Sequence, residues 1–199
     1  MFKLLCVTSR SLCQGDFFIR LEEIARAGAD GIILREKDLA PEAYRPLARE
    51  ALDRCAPYSV PCVLHSFPAV AAELGADSLH LPLPVLEAMD PEVPGRFQRL
   101  GASCHSAEDA VRAQALGCTY VTVGHIFETD CKRGLPGRGL EFLSRVCQAV
   151  SIPVYAIGGI SSGNLAAVRD AGAAGACVMS GPMTCEDPAD YFDSLRRAL

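Results

Sequence analysis

A chain of 199 residues, 50% hydrophobic and 22% charged, has the size and balance to bury one continuous core. A formal net charge of −5, with no block of like charges, disfavours an electrostatic nucleic-acid surface. No apolar run approaches the roughly 18 residues of a membrane span. The apolar stretch at the N-terminus is too short for a signal-peptide core, so the expectation is a cytoplasmic protein with no nucleic-acid and no membrane partner.

Short apolar runs alternate with amphipathic stretches from one end to the other. Leu4–Thr8 reads as a first strand, followed by a helix over Phe17–Ala27. A strand at Gly31–Leu34 leads to a helix at Pro41–Cys55, and a strand at Cys62–Leu64 to a helix at Ala69–Leu74. Ser78–Leu81 is a fourth strand with only a turn or short helix after it, near Pro84–Met89. Leu100–Ser103 precedes a helix at Ala107–Leu116, and Tyr120–Val123 precedes one at Leu140–Ala149. Val154–Ile157 is followed by Asn164–Ala171, and Ala176–Met179 by Asp187–Ala198.

The punctuation agrees with these elements. Ser106 with Asp109 three residues later fits a capping box. Pro41 and Pro188 suit first-turn positions, where a missing N–H costs nothing. A helix-stop glycine before a strand recurs in Ala27-Gly28-Ala29-Asp30, Leu74-Gly75-Ala76-Asp77 and Ala171-Gly172-Ala173-Ala174. Alternating strands and helices call for a parallel sheet. A doubly wound open sheet competes with a closed barrel, and eight near-equal units of roughly 25 residues favour the barrel. The expected fold is therefore α/β, a single (β/α)8 TIM barrel occupying residues 1–199 as one domain.

The ten cysteines show neither a Cys-x-x-Cys pair nor a zinc-type spacing, and read as plain thiols. In such a barrel, chemistry belongs at the C-terminal ends of the strands. After strands seven and eight stand Gly158-Gly159 and Ser180-Gly181, where backbone N–H groups can approach an oxyanion and the helix near Asn164 adds a favourable dipole. Both loops together point to a phosphate site. Arg35 and Lys37, after strand two, suit phosphate or carboxylate. The long segment 124–139 after strand six carries His125, Cys131 and Lys132, and His125 suits proton transfer. His65 and His105 follow strands three and five, and His80 reads as a packed strand residue. Without sequence-local pairing, these histidines are not expected to hold a metal.

In order along nearly the whole chain, Val7-Thr8, Leu34-Arg35-Glu36-Lys37, Ser103-Cys104-His105-Ser106, Thr129-x-x-Lys132, Ala156-Ile157-Gly158-Gly159-Ile160 and Val178-Met179-Ser180-Gly181 resemble the thiamine phosphate synthase superfamily. The synthase branch joins a pyrimidine diphosphate to a thiazole phosphate with magnesium. Its Asn-Asp pair after strand three corresponds to His65-Ser66 here, and its further Asp after strand four falls in Leu81-Pro82-Leu83-Pro84. Those carboxylates are the oxygen ligands a hard cation requires. Residues 124–139 are similar to the other branch, the TenI-type thiazole tautomerases, which aromatise a carboxythiazole phosphate.

The resemblance to that branch implies an isomerase, with His125 as the general acid and base, and neither metal nor cofactor. It also implies a homodimer. The motif positions add His65, Ser103, Thr129 and Met179 to Arg35, Lys37, Lys132, Gly158, Gly159 and Ser180 as contacts to a thiazole phosphate. Magnesium-dependent coupling, as in the synthases, and a non-catalytic thiazole-phosphate-binding protein are the alternatives.

Overall fold

The computed structural model describes all 199 residues. Every expected strand forms: β1 (Lys3–Val7), β2 (Gly31–Leu34), β3 (Cys62–His65), β4 (Ser78–Pro82), β5 (Arg99–Cys104), β6 (Tyr120–Gly124), β7 (Val154–Ile157) and β8 (Gly175–Val178). They pair in chain order, and β1 closes on β8 in parallel, with Lys3 opposite Gly175 and Cys6 opposite Val178. The sheet has no free edge, which excludes the open doubly wound arrangement. No helix is long and apolar enough to cross a membrane.

The helices are α1 (Phe17–Arg26), α2 (Pro41–Cys55), α3 (Pro68–Glu73), α4 (Leu83–Glu87), α5 (Ala107–Ala115), α6 (Gly139–Ala149), α7 (Leu165–Asp170), α8 (Ser180–Thr184) and α9 (Pro188–Arg197). Asp16 caps α1 by accepting from the Phe18 and Ile19 N–H groups at 2.8 and 3.0 Å. Ser106 caps α5 through the Asp109 N–H at 3.0 Å. The Asp109 carboxylate returns to the His105 N–H at 2.8 Å, one residue before the position a standard capping box uses. The glycines of the repeated helix stops, Gly28, Gly75 and Gly172, have positive φ as expected.

One element departs from expectation. The segment after β8 was expected to be a glycine loop, with the last strand running to Met179. Instead the strand ends at Val178, and Ser180 opens the short helix α8. Pro182 falls in its first turn, where proline is tolerated, so Gly181-Pro182 begins a helix here rather than a turn.

Alternate strand residues face opposite sides of the barrel wall. Leu4, Cys6, Ile32, Leu34, Leu64, Leu79, Val121 and Ala156 face out and join Leu21, Ile24, Tyr44, Val146 and Phe192 of the helices in the main core. Leu5, Val7, Ile33, Val63 and Cys177 face in and form a small apolar cluster against Tyr155, Ile157 and Met179. The other side of the interior is polar and buried, with His65, Ser78, His80 and Thr122.

Glycine makes that interior fit. A Cβ on Gly101 would collide with the Tyr120 ring and lie 2.5 Å from the His80 Nδ1. Gly101→Ala is expected to destabilise the fold by about 1–3 kcal/mol through overpacking. Urea unfolding of the variant checks this, and an unchanged midpoint would show that the interior can yield.

Candidate active site

A cavity of about 610 Å3 opens at the C-terminal ends of the strands. All the residues singled out in the sequence line it: Arg35, Lys37, His65, Ser103, His125, Thr129, Lys132, Gly158, Gly159, Met179 and Ser180. They come from the ends of six strands and from the loops beyond them, so barrel closure alone brings them together.

On the β1–β2 side, Thr8 organises the wall. It is fully buried, its hydroxyl donates to Glu36 Oε1 at 2.8 Å, and its Oγ1 accepts the Arg35 N–H at 2.9 Å. Glu36 is 4% exposed and also accepts the Arg10 N–H at 3.2 Å and its guanidinium at 3.3 Å. The acid of Arg35-Glu36-Lys37 is thus turned into the protein, while both of its cationic neighbours line the cavity. Burial lowers the Lys37 pKa, and so do the like charges of Arg35 and Lys132.

The β3–β6 side is a chain of neutral hydrogen-bonding groups. His65 ends β3, and its Nδ1 lies 2.7 Å from the Ser66 hydroxyl. Ser66 has a left-handed backbone, φ 70°, tied by its N–H to the His80 carbonyl at 3.0 Å. The His65 and His80 rings stack with centroids 5.6 Å apart. His80 then meets the Tyr120 hydroxyl at 3.1 Å through Nδ1, and Ser103 Oγ at 2.9 Å and Thr122 Oγ1 at 3.3 Å through Nε2.

Burial pushes the His65 pKa down to about 3, helped by the charges of Arg35 and Lys37. It pushes His80 down to about 3 as well, with His65 adding to the effect. Both imidazoles are neutral near pH 7. His80 was expected only as a packed strand residue; it is packed, but it also lines the cavity. Sequence reading passed over it, together with Thr122, because each lies inside a strand rather than after one. The usable signal was alternation: both fall on the inward side of their strands.

The 124–139 segment is folded onto β7. Ile126 N–H donates to the Ile157 carbonyl and Phe127 N–H to that of Gly158, each at 3.0 Å. This contact explains the glycine pair. Gly158 and Gly159 have φ 98° and 66°, and a Cβ on either would strike the segment, with His125 Cβ at 2.5 Å from the first and Phe127 Cβ at 2.7 Å from the second. His125 Nε2 lies 3.3 Å from the Leu135 carbonyl; a carbonyl can only accept, so this contact assigns the ring proton to Nε2. His105 is exposed and contacts the Gly124 carbonyl at 3.5 Å.

The Asn164 side chain ties the glycine loop internally, accepting the Ser161 N–H at 2.9 Å and donating to the Gly159 carbonyl at 2.8 Å. The helices beyond the two loops, α7 and α8, have only six and five residues. An anion here would rely on local backbone N–H groups more than on a long helix dipole.

The cavity does not offer the oxygen ligands of a hard divalent cation. Its only carboxylates are Glu87 and Asp109, and Arg112 pairs with both, at 3.0 and 2.7 Å. His65 and Ser66, at the expected Asn-Asp position, bond to each other. No three His, Cys, Asp or Glu side chains are grouped so as to hold a metal. All ten cysteines are free thiols, and burial raises the pKa of Cys177, on the cavity wall, to about 12.

Residues 4–181 match the family described as thiamine monophosphate synthase. The chain is 34% identical over 195 residues to the thiamine-phosphate synthase of Syntrophomonas wolfei, covering 94% of this chain and 90% of the relative. It is 35% identical over 183 residues to that of Thermus thermophilus, covering 90% and 87%. The thiamine phosphate pyrophosphorylase structure from Pyrococcus furiosus superposes with a TM-score of 0.85 at 29% identity, covering 99% of this chain and 95% of that one.

These relatives overturn the expected tautomerase. They are synthases, similar along nearly their whole length, whereas the isomerase reading leaned on one segment, residues 124–139. His125 as the acid and base of an isomerisation falls with it. The resemblance in that segment has a packing role in this fold, since Ile126 and Phe127 extend the pairing with β7. A barrel closed around a cationic mouth, with a glycine loop after β7 and helix α8 opening after β8, matched over residues 4–181, places the chain in the thiamine monophosphate synthase family.

Proposed function

We propose that the protein is a transferase that joins a hydroxymethylpyrimidine diphosphate to a thiazole phosphate, releasing pyrophosphate. The observation that carries this reading is the similarity of nearly the whole chain to thiamine-phosphate synthases. In the reaction, the thiazole nitrogen lone pair forms a bond to the methylene carbon of the pyrimidine. The carbon–oxygen bond to the diphosphate breaks, and its electron pair leaves on the pyrophosphate oxygen. Positive charge ends on the thiazolium nitrogen, and no proton transfer is required.

Each part of the cavity has a task in this scheme. Gly158, Gly159, Met179 and Ser180 hold the thiazole phosphate on the β7 and β8 side. Arg35, Lys37 and Lys132 face the diphosphate, where negative charge grows as the bond breaks. His65, Ser103, Thr129 and His125 line the same cavity, where a nitrogen heterocycle needs hydrogen-bond donors and acceptors. The reading includes a homodimer, as the resemblance implies; light scattering is expected to return twice the 21.2 kDa chain mass.

One observation favours a second reading, a binding protein without turnover: the carboxylates of the synthase branch are replaced by His65-Ser66 and Leu81-Pro82-Leu83-Pro84. Incubation with both substrates separates the two. Stoichiometric thiamine phosphate and pyrophosphate are expected, measured by chromatography with and without magnesium. Tight binding of thiazole phosphate with no product under either condition would establish the second reading instead.

A further inference from the structure

The disagreement between this cavity and a magnesium site has a positive counterpart. We infer that the mouth binds a diphosphate directly on Arg35, Lys37 and Lys132, without a divalent cation. For the identity of the leaving group, this rests on the proposed coupling reaction; the anion site itself rests on the side chains.

Three features carry it. The first is the sign of the mouth. Arg35, Lys37 and Lys132 line one cavity, and none of them makes an ion pair within the protein. Glu36, the acid between two of them, is withdrawn onto Thr8 and Arg10. Asp38 is taken by the Arg10 guanidinium at 2.7 Å. Like charges gathered without counterions are an incomplete arrangement, and a multivalent anion completes it.

The second feature is what the carboxylates do. Glu87 and Asp109 are held on Arg112, and the Asp109 Oδ2 accepts the His105 N–H at 2.8 Å. Binding magnesium there would require breaking two ion pairs and the hydrogen bond from the His105 N–H to Asp109. The third is the group that stands where a ligand would be expected. The His65 ring spends its Nδ1 on Ser66 and stacks on His80. A neutral imidazole is a poor partner for magnesium, which prefers oxygen, and it leaves the positive field of the three cations undiminished.

A hard cation brought to this mouth would meet three positive charges and no free carboxylate. A diphosphate would find three charge-assisted donors. The cationic side chains do for the pyrophosphate what a metal ion does elsewhere: they neutralise it and stabilise its departure.

The test is calorimetric titration of pyrophosphate into the protein in EDTA, repeated in magnesium chloride. One site per chain is expected to fill in EDTA. Magnesium is expected to leave the apparent affinity unchanged or weaken it, because the ion competes for free pyrophosphate in solution. Arg35→Ala combined with Lys132→Ala is expected to weaken binding in EDTA by about 10- to 100-fold. Circular dichroism melts of this variant show whether it folds, and Lys37→Gln alone supplies a milder change. Binding that needs magnesium, no binding in either buffer, or equal affinity in folded variants would each overturn the inference. Thiamine phosphate formed only with magnesium sinks this inference and leaves the coupling reading standing. Pyrophosphate bound in EDTA without product from the two substrates does the reverse.

Discussion

Arg35→Ala is expected to lower kcat/KM for coupling by about 10²–10³-fold, the range seen when one preorganised donor to a developing anion is removed. The magnitude follows from how firmly Arg35 is placed. Its N–H is fixed on the Thr8 hydroxyl at 2.9 Å, and that hydroxyl is held in turn by buried Glu36 at 2.8 Å. The guanidinium therefore extends from a backbone position that is fixed at the mouth of the cavity.

Arg35→Lys keeps the charge but loses the planar fork that grips phosphate oxygens in pairs. Its rate is expected to fall between those of wild type and Arg35→Ala. Steady-state measurement of pyrophosphate release decides the matter. A fall in kcat places the contact in the transition state, whereas a rise in KM alone restricts it to ground-state anchoring. Unchanged kcat/KM in a folded Arg35→Ala protein would remove Arg35 from the diphosphate site.

Acid is expected to cost the fold roughly 4 kcal/mol between pH 7 and pH 5, about 2 kcal/mol for each of His65 and His80. Both are buried neutral, with pKa values pushed down to about 3 from an ordinary 6.5. The unfolded chain takes up these protons as pH falls through 6.5, while the native state refuses them until near 3. The unfolded state thus binds more protons in that window, so stability is full above about pH 6.5 and declines below it.

Urea unfolding followed by circular dichroism at several pH values reads this directly. His65→Asn is expected to remove about half of the pH dependence. It leaves a neutral amide in reach of Ser66 and removes the imidazole stacked on His80. An unfolding midpoint that stays level from pH 7 to pH 5 would show that the native protein protonates these rings and that the interior can hydrate them.

How much of this was legible beforehand differs from element to element. The strands were legible because each is a short apolar run, and β2, β4 and β8 each follow a helix-stop glycine, Gly28, Gly75 and Gly172. Even so, runs such as Leu4-Leu5-Cys6-Val7 do not announce which side faces the barrel axis. A parallel strand buried on both faces shows no apolar–polar alternation, so the inward apolar cluster had no signature. Helix α8 was missed for a local reason: Gly181-Pro182 is turn chemistry by composition, and only packing makes it a first helical turn. A Cβ at Gly181 would strike the Tyr191 ring, a contact with α9 that no short window contains.

The cavity was legible as a set of residues, because barrel chemistry collects after strands, but the roles within it were not. Arg35, Glu36 and Lys37 look alike as a charged loop, and the partners of Glu36 lie 26 to 28 residues away. Residues 124–139 misled because a long, charged segment after a strand reads as chemistry in its own right. In three dimensions its backbone extends the pairing with β7 and presses on Gly158 and Gly159.

By itself, then, the sequence determined the repeating strand–helix unit, hence the barrel, and the positions that ring its mouth. These follow from local periodicity and from one topological rule, and neither needs a distant partner. Tertiary structure decided which charges face the cavity, which acids are already paired, and which histidines are held neutral. Those properties belong to pairs of groups far apart in the chain, and charge and pKa respond to every neighbour that closure brings within a few ångströms.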